Sequence, residues 1–223
     1  MIVGERKPMG EILEMIAPHE KVLLLGCGTC VTVCLAGGER EVGILAAQLR
    51  IHAKKEGKDL QIEEHTIERQ CENEWVDEIK SRVEGVDAVM SMACGVGVQL
   101  VAEMYPEKAI LPALNTTFMG YPVQHGTWLE NCRGCGNCVL HLSGGVCPIT
   151  RCAKSLMNGP CGGSQDGKCE IDEDIECAWQ VIYERLKSGG RLDWMNNYQP
   201  PRNWSTAGSG GPRKSVKIEE VVD

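Results

Sequence analysis

Apolar and polar positions follow two regimes along the chain. Lys21 to Gly26 (KVLLLG) is a short apolar run closed by glycine, the pattern of a strand buried on both faces. Val42, Leu45, Ala46, Leu49 and Ala53 then recur at helical spacing. Asp59 to Ile67 predicts a second strand, and Trp75, Ile79 and Val83 mark a second helix. Val86 to Met92 predicts a third strand, Val98, Val101 and Met104 a third helix, and Lys108 to Leu114 a fourth strand. Alternation of this kind predicts an α/β fold, a small doubly wound parallel sheet covered on both faces, over residues 1–125.

From about residue 126 the pattern breaks. Residues 131–170 are dense in Cys, Gly and Pro and hold no sustained period. Asp172 predicts the start of a helix with an acidic first turn. Ile175, Ala178, Trp179, Ile182 and Leu186 form its apolar stripe, and Gly189-Gly190 ends it. A loop-rich, cysteine-rich module over 126–190 follows from this. The tail, 191–223, carries Trp194, Tyr198 and Trp204 around Pro200-Pro201 and is expected to be extended or disordered, with 205–223 read as disorder.

Composition sharpens the picture. The 223 residues include 13 cysteines. An odd count fits a disulfide framework poorly, and the chain is long enough to bury a core without one. It opens MIVGERKPMG, with charges and a proline where a secretory signal needs an apolar run, and no stretch is apolar for the length of a membrane span. The expectation is a cytoplasmic protein whose thiols meet metal. A net charge of −8 argues against nucleic acid, which demands concentrated Lys and Arg. The one basic cluster, Arg50, His52, Lys54, Lys55 and Lys58, reads as a solvated helix end, with a docking patch for an acidic electron carrier as the rival. Aromatic residues are only 4%, and the second half has few large apolar side chains, so metal ligation is expected to stabilise it.

The first cysteine group is Cys27, Cys30, Cys34, Cys71 and Cys94. Cys27 and Cys30 follow the first predicted strand, Cys71 the second and Cys94 the third. The carboxyl ends of neighbouring parallel strands line one crevice, where such folds bind ligands. Gly26 and Gly28 allow close backbone approach to a bulky group. Five thiols exceed the four that a [4Fe–4S] cluster needs, so one is expected to be a core cysteine, with Cys71 and Cys27 the leading choices. Cys27-Gly28-Thr29-Cys30 also matches a thioredoxin-like C-x-x-C, but that leaves Cys34 and Cys94 unexplained. Gly26-x-Gly28 is only a fragment of a dinucleotide fingerprint.

The second group opens with Cys132-x2-Cys135-x2-Cys138, the spacing of bacterial ferredoxins. Their final C-P pair is supplied by Cys147-Pro148, but after eight intervening residues. Cys152, Cys161, Cys169 and Cys177 follow. Cys147, Cys152 and Cys161, with Cys169 or Cys177, make a second four-thiol set, for which structural zinc competes with iron and sulfide. Cys177 also reads as a core residue of the predicted helix. His125 and His141 flank the loop and read as hydrogen-bonding residues before ligands. The chain is thus expected to hold two or three [4Fe–4S] clusters, with zinc open for the later cysteines.

The run Cys147 to Gly163 (CPITRCAKSLMNGPCGG) resembles the signature of the methylenetetrahydrofolate reductase C-terminal, zinc-finger-like domain. Leu25 to Cys34 (LGCGTCVTVC), followed by Ala36-Gly37-Gly38, is similar to the same family, so the resemblance extends over about residues 5–200. It implies the small accessory subunit of the reductases of acetogenic anaerobes. In that family a flavin-binding barrel subunit makes methyltetrahydrofolate in reductive acetyl-CoA synthesis. The accessory subunit carries iron–sulfur clusters and feeds the flavin from ferredoxin or another electron-donating subunit. Read from the residues, the chain presents no base–nucleophile set and no complete cofactor fingerprint, so electron transfer leads. A zinc-stapled assembly subunit and a C-x-x-C thiol redox enzyme are the alternatives.

Overall fold

The computed structural model describes residues 1–208 and 211–213. The chain divides into two compact units, the first Met1–Leu129 and the second starting at Glu130. In the first, β2 (Lys21–Cys27) is the hub of a four-stranded sheet with β3 (Gln61–Ile67), β4 (Ala88–Met92) and β5 (Ala109–Pro112). The order is β3-β2-β4-β5 and every pairing is parallel. The chain moves from β2 outward to β3, then crosses back to β4 on the other side. That reversal creates a topological switch point beyond the carboxyl ends of β2 and β4.

The alternation inside KVLLLG explains the two-sided burial. Val22 and Leu24 enter one core with Leu45 and Leu49 of α3 (Glu39–Glu56) and Ile12 of α1 (Met9–Ile16). Leu23 and Leu25 enter the opposite core with Val76 of α4 (Asn73–Asp77), Val83 of α5 (Lys80–Glu84) and Val101 of α6 (Gly95–Met104). The second predicted helix is therefore two short ones, α4 and α5, with Ile79 buried between them. Arg50 on α3 donates to Glu64 Oε1 at 2.6 Å and to Ile62 O, and Lys54 and Lys55 occupy the helix's last turn. The basic cluster lies at a helix end, where cations favour the negative pole.

A second sheet extends the expectation. β1 (Ile2–Arg6) pairs antiparallel with β6 (Leu114–Gln124), and β7 (Thr127–Cys132) lies on the other side of β6. The fourth predicted strand thus divides at Ala113, its first part completing the parallel sheet as β5 and its last residue opening β6. His125-Gly126 turn the β6–β7 hairpin, with Gly126 at φ +80°.

The second unit has a small apolar core. Val146 packs with Ala178, Trp179, Ile182 and Leu186 of α8 (Ala178–Ser188), and the Trp179 indole N–H donates to Leu156 O at 3.0 Å. The helix starts at Ala178, not at Asp172. Asp172 Oδ1 accepts from the Asp174 N–H, and the Cys177 N–H donates to Gly167 O at 2.7 Å, so the acidic run closes a turn instead. Ile175 of the predicted stripe is accordingly exposed. Residues Leu192–Asn196 and Trp204–Thr206 form single 3-10 turns. The remainder of the tail assigned to disorder, 209–210 and 214–223, lies outside the described residues. No described helix is long and apolar enough to cross a membrane.

Candidate metal centres

The switch point gathers part of the first cysteine group. Cys27 ends β2, Cys71 follows β3, and Cys94 is the residue before α6. Partial burial, then the neighbouring Cys27 and Cys94 thiols, push the Cys71 thiol up, although the residue as a whole is exposed. Cys27 Sγ lies 3.7 Å from Thr29 Oγ1 and 3.8 Å from Glu68 O, and Cys30 starts the short helix α2 (Cys30–Val33). Cys34 shares a buried cluster with Cys27, but its sulfur meets the β1 backbone. Its sulfur accepts from Gly4 N at 3.5 Å, lies 3.6 Å from Gly4 O and Val31 O, and packs among Val3, Ala36 and Leu114. Burial pushes its thiol up.

The glycines here make close approach possible. A Cβ on Gly26 would stand 2.4 Å from Thr66 Oγ1, and one on Gly28 would touch the Ile67 and Glu68 backbone at 3.4 Å. A residue that periodicity does not reveal braces the crevice. Gln70, fully buried, donates through Nε2 to Leu25 O at 2.8 Å and Gly26 O at 3.1 Å. Its Oε1 accepts from Ser91 Oγ at 2.6 Å. It ties the carboxyl ends of β2 and β4 to the loop that bears Cys71.

In the second unit, Cys132, Cys135, Cys138 and Cys147 line one cavity of about 210 Å³, with Thr150 and Arg202 on its wall. Cys132 closes β7, and Cys147 precedes the one-turn helix α7 (Pro148–Arg151). Gly134 and Gly136, at φ +59° and +77°, let the loop double back between the thiols. The Gly134 N–H donates to Cys132 Sγ at 3.4 Å. Arg202 Nη2 donates to Cys135 Sγ at 2.8 Å. Burial works to raise the Cys135 thiol, but the Asn137 backbone and the Arg202 guanidinium together hold it below its ordinary value. Two buried polar atoms of residues that line this cavity, Arg202 Nε and Thr150 Oγ1, have no hydrogen-bond partner.

By residue type, four thiols lining one space are the donor set of a [4Fe–4S] cluster or of zinc. Among the described residues, no group of three or more His, Cys, Asp or Glu side chains is placed to hold a metal ion. Cys147 stands with the ferredoxin-like triplet, which leaves Cys152, Cys161, Cys169 and Cys177. Cys152 and Cys177 pack at the edge of the α8 core. Cys161 is exposed, and the Gly163 N–H and the Lys154 ammonium hold its thiol below its ordinary value. Lys154 itself pairs with Glu170. Cys169 lines an open cleft with Glu170 and Glu173. His125 lies in the exposed β6–β7 turn and His141 in an exposed 3-10 turn.

Searches of curated proteins and of solved structures found no match to the chain. A family match does exist: it begins within β5, takes in the Cys132–Cys147 cavity and Arg202, and leaves Cys27 to Cys94 outside. Residues 111–205 match the family described as Methylene-tetrahydrofolate reductase C terminal, the family that the Cys147–Gly163 run resembles.

Proposed function

We propose that the chain is the iron–sulfur electron-transfer subunit of a methylenetetrahydrofolate reductase complex, relaying electrons to the flavin of a catalytic partner that makes methyltetrahydrofolate. The observation that carries this reading is the set of four thiols around one cavity, inside the segment that matches a methylenetetrahydrofolate reductase family. A [4Fe–4S] cluster supplies one-electron storage without proton transfer or bond rearrangement in the protein.

This chain's residues supply the setting. Cys132, Cys135, Cys138 and Cys147 are the ligands of the second unit. Thr150 and Arg202 offer donors to sulfur, which stabilises added negative charge and raises a potential. In the first unit Cys27, Cys30, Cys71 and Cys94 are the ligand set, and Cys34 is the core thiol, because its sulfur is committed to Gly4. That choice departs from the spacing-based preference for Cys27 or Cys71 as the spare. Cys152, Cys161, Cys169 and Cys177 remain as a zinc or further cluster set. The electron donor is ferredoxin or another electron-donating subunit.

The experiment is anaerobic purification of the native chain from its host, followed by flavin and metal analysis of whatever co-elutes. The reading requires a flavoprotein in the same complex. A chain that elutes alone, without flavin, overturns the accessory-subunit role.

A further inference from the structure

The C-terminal segment is pinned across the cysteine loop at several points. Asn158 and Gln199 form a reciprocal pair, Gln199 N–H to Asn158 Oδ1 at 2.7 Å and Asn158 Nδ2 to Gln199 O at 2.9 Å. Three residues on, Arg202 donates to Cys135 Sγ. Asn203 Oδ1 then caps the turn that follows, accepting from Ser205 N at 3.0 Å and Ser205 Oγ at 2.6 Å. The turn brings Thr206 Oγ1 within 2.8 Å of Cys135 O, to which it donates. Thr206 O packs so tightly on Gly136 that a Cβ there would stand 2.4 Å away. Ala207, next in line, is buried.

One cysteine is therefore held from both its sulfur and its carbonyl by a segment more than 60 residues away in sequence. The Arg202 guanidinium also lies 5.8 Å from the Trp204 ring, which limits its freedom. Its Nε is buried without a partner, and the residue is one of those that line the cavity. A guanidinium keeps its charge at any working pH, and its rigid fork of donors suits a thiolate and a sulfide together. Packing alone does not call for a half-buried cation with a buried, unused donor.

We propose that residues 199–207 are a strap whose purpose is to hold Arg202 against Cys135, and that Arg202 is a positioning residue that raises the reduction potential of the group bound by Cys132, Cys135, Cys138 and Cys147. The inference rests on reading that cavity as a cluster site. One-electron reduction adds one negative charge there, and a fixed cation a few ångströms away favours the reduced form.

The test is a dye-mediated redox titration of the full chain, purified anaerobically and followed by electron paramagnetic resonance, for wild type, Arg202→Gln and Arg202→Lys. In Arg202→Gln, one midpoint moves to more negative potential while any other stays. At the wild-type midpoint, its oxidised-to-reduced ratio rises on the order of tenfold, the effect of a unit charge at close range in a partly solvated site. Arg202→Lys, which keeps the charge, falls nearer wild type. A second measurement needs no variant to fold: wild type grown with ¹⁵N-arginine shows a nitrogen coupling to the reduced centre. An unmoved midpoint in iron-replete Arg202→Gln, equal shifts in both variants, or no ¹⁵N coupling overturns the inference. An iron-free wild type overturns the parent reading instead.

Discussion

Replacing Gln70 by leucine keeps the side-chain volume and deletes three hydrogen bonds at the carboxyl edge of the parallel sheet. The bonds run to Leu25 O, to Gly26 O and from Ser91 Oγ, at 2.8, 3.1 and 2.6 Å. Gln70 and Ser91 are both fully buried, so water does not replace what is lost. A net hydrogen bond contributes about 1 kcal/mol, and a buried group left without its partner costs about 1–3 kcal/mol. With one hydroxyl and two carbonyls affected, the expected loss is about 3–5 kcal/mol, a large share of a typical domain's stability. Ser91→Ala alone removes one donor and leaves Gln70 Oε1 unpaired, which costs about 1–3 kcal/mol. The double variant should then be more stable than the sum of the singles implies, by about 1–2 kcal/mol. Urea unfolding of the anaerobic protein, followed by far-ultraviolet circular dichroism, measures all four states. Reaction of Cys71 with a thiol reagent reports the local effect and should accelerate in Gln70→Leu. A loss below 1 kcal/mol, with additive singles and unchanged Cys71 reactivity, refutes the bracing role.

Other outcomes follow from single positions. Gly37→Ala places a methyl carbon 1.9 Å from Met92 O and should abolish soluble folded protein, whereas Gly10→Ala, with open space around it, should gain about 0.5–1 kcal/mol in the same urea assay. Ile182→Ala should cost about 2–5 kcal/mol, read as loss of near-ultraviolet tryptophan signal from the second unit, because Ile182 is fully buried in a small core. Asp87 accepts from the Glu20 and Lys21 N–H groups at 3.0 and 2.8 Å, which hold its carboxyl below the ordinary range. A depressed carboxyl contributes stability that is full above its unfolded value of about 4 and fades as pH falls through the folded one, so Asp87→Asn should lower the melting temperature near neutrality and leave it unchanged in strong acid. Stripping metal by anaerobic chelation should loosen the second unit and leave the strand–helix signal of the first, since five buried residues dominate the former's core.

The parallel sheet was legible because its two central strands, β2 and β4, are buried on both faces. KVLLLG and VDAVMSM read as largely apolar runs, and α3 repeats its apolar positions from Val42 to Ala53. The antiparallel sheet was not, since β6 is largely exposed and carries Gly120 and Pro122, which demote a strand by pattern. Pairing with β1, from the far end of the first unit, completes it, and that pairing is non-local, whereas β7 joins β6 through the short His125-Gly126 turn. The start of α8 was misread because Asp172–Asp174 suit a helix N-terminus and an Asx-type turn equally, and contacts with Gly167 and Cys169 decide between them. Spacing marked Cys132, Cys135, Cys138 and Cys147, which line one cavity, and strand order marked Cys27, Cys71 and Cys94, which follow the carboxyl ends of β2, β3 and β4. Their braces were not legible, because Gln70, Ser91, Arg202 and Thr206 belong to no period or motif, and only the fold brings them to a thiol or a strand end. Charge beside the ferredoxin-like loop was equally hidden, as Arg202 lies in a tail that the sequence gives only as extended or disordered.

The central claim is that these thiols hold iron and sulfide. Iron, acid-labile sulfide and zinc, measured per chain on anaerobically purified protein, test it most directly. The account predicts a brown sample with iron and sulfide in equal amounts, about eight of each per chain, and a paramagnetic signal on reduction. One zinc with no iron, or metal-free thiols, would contradict it.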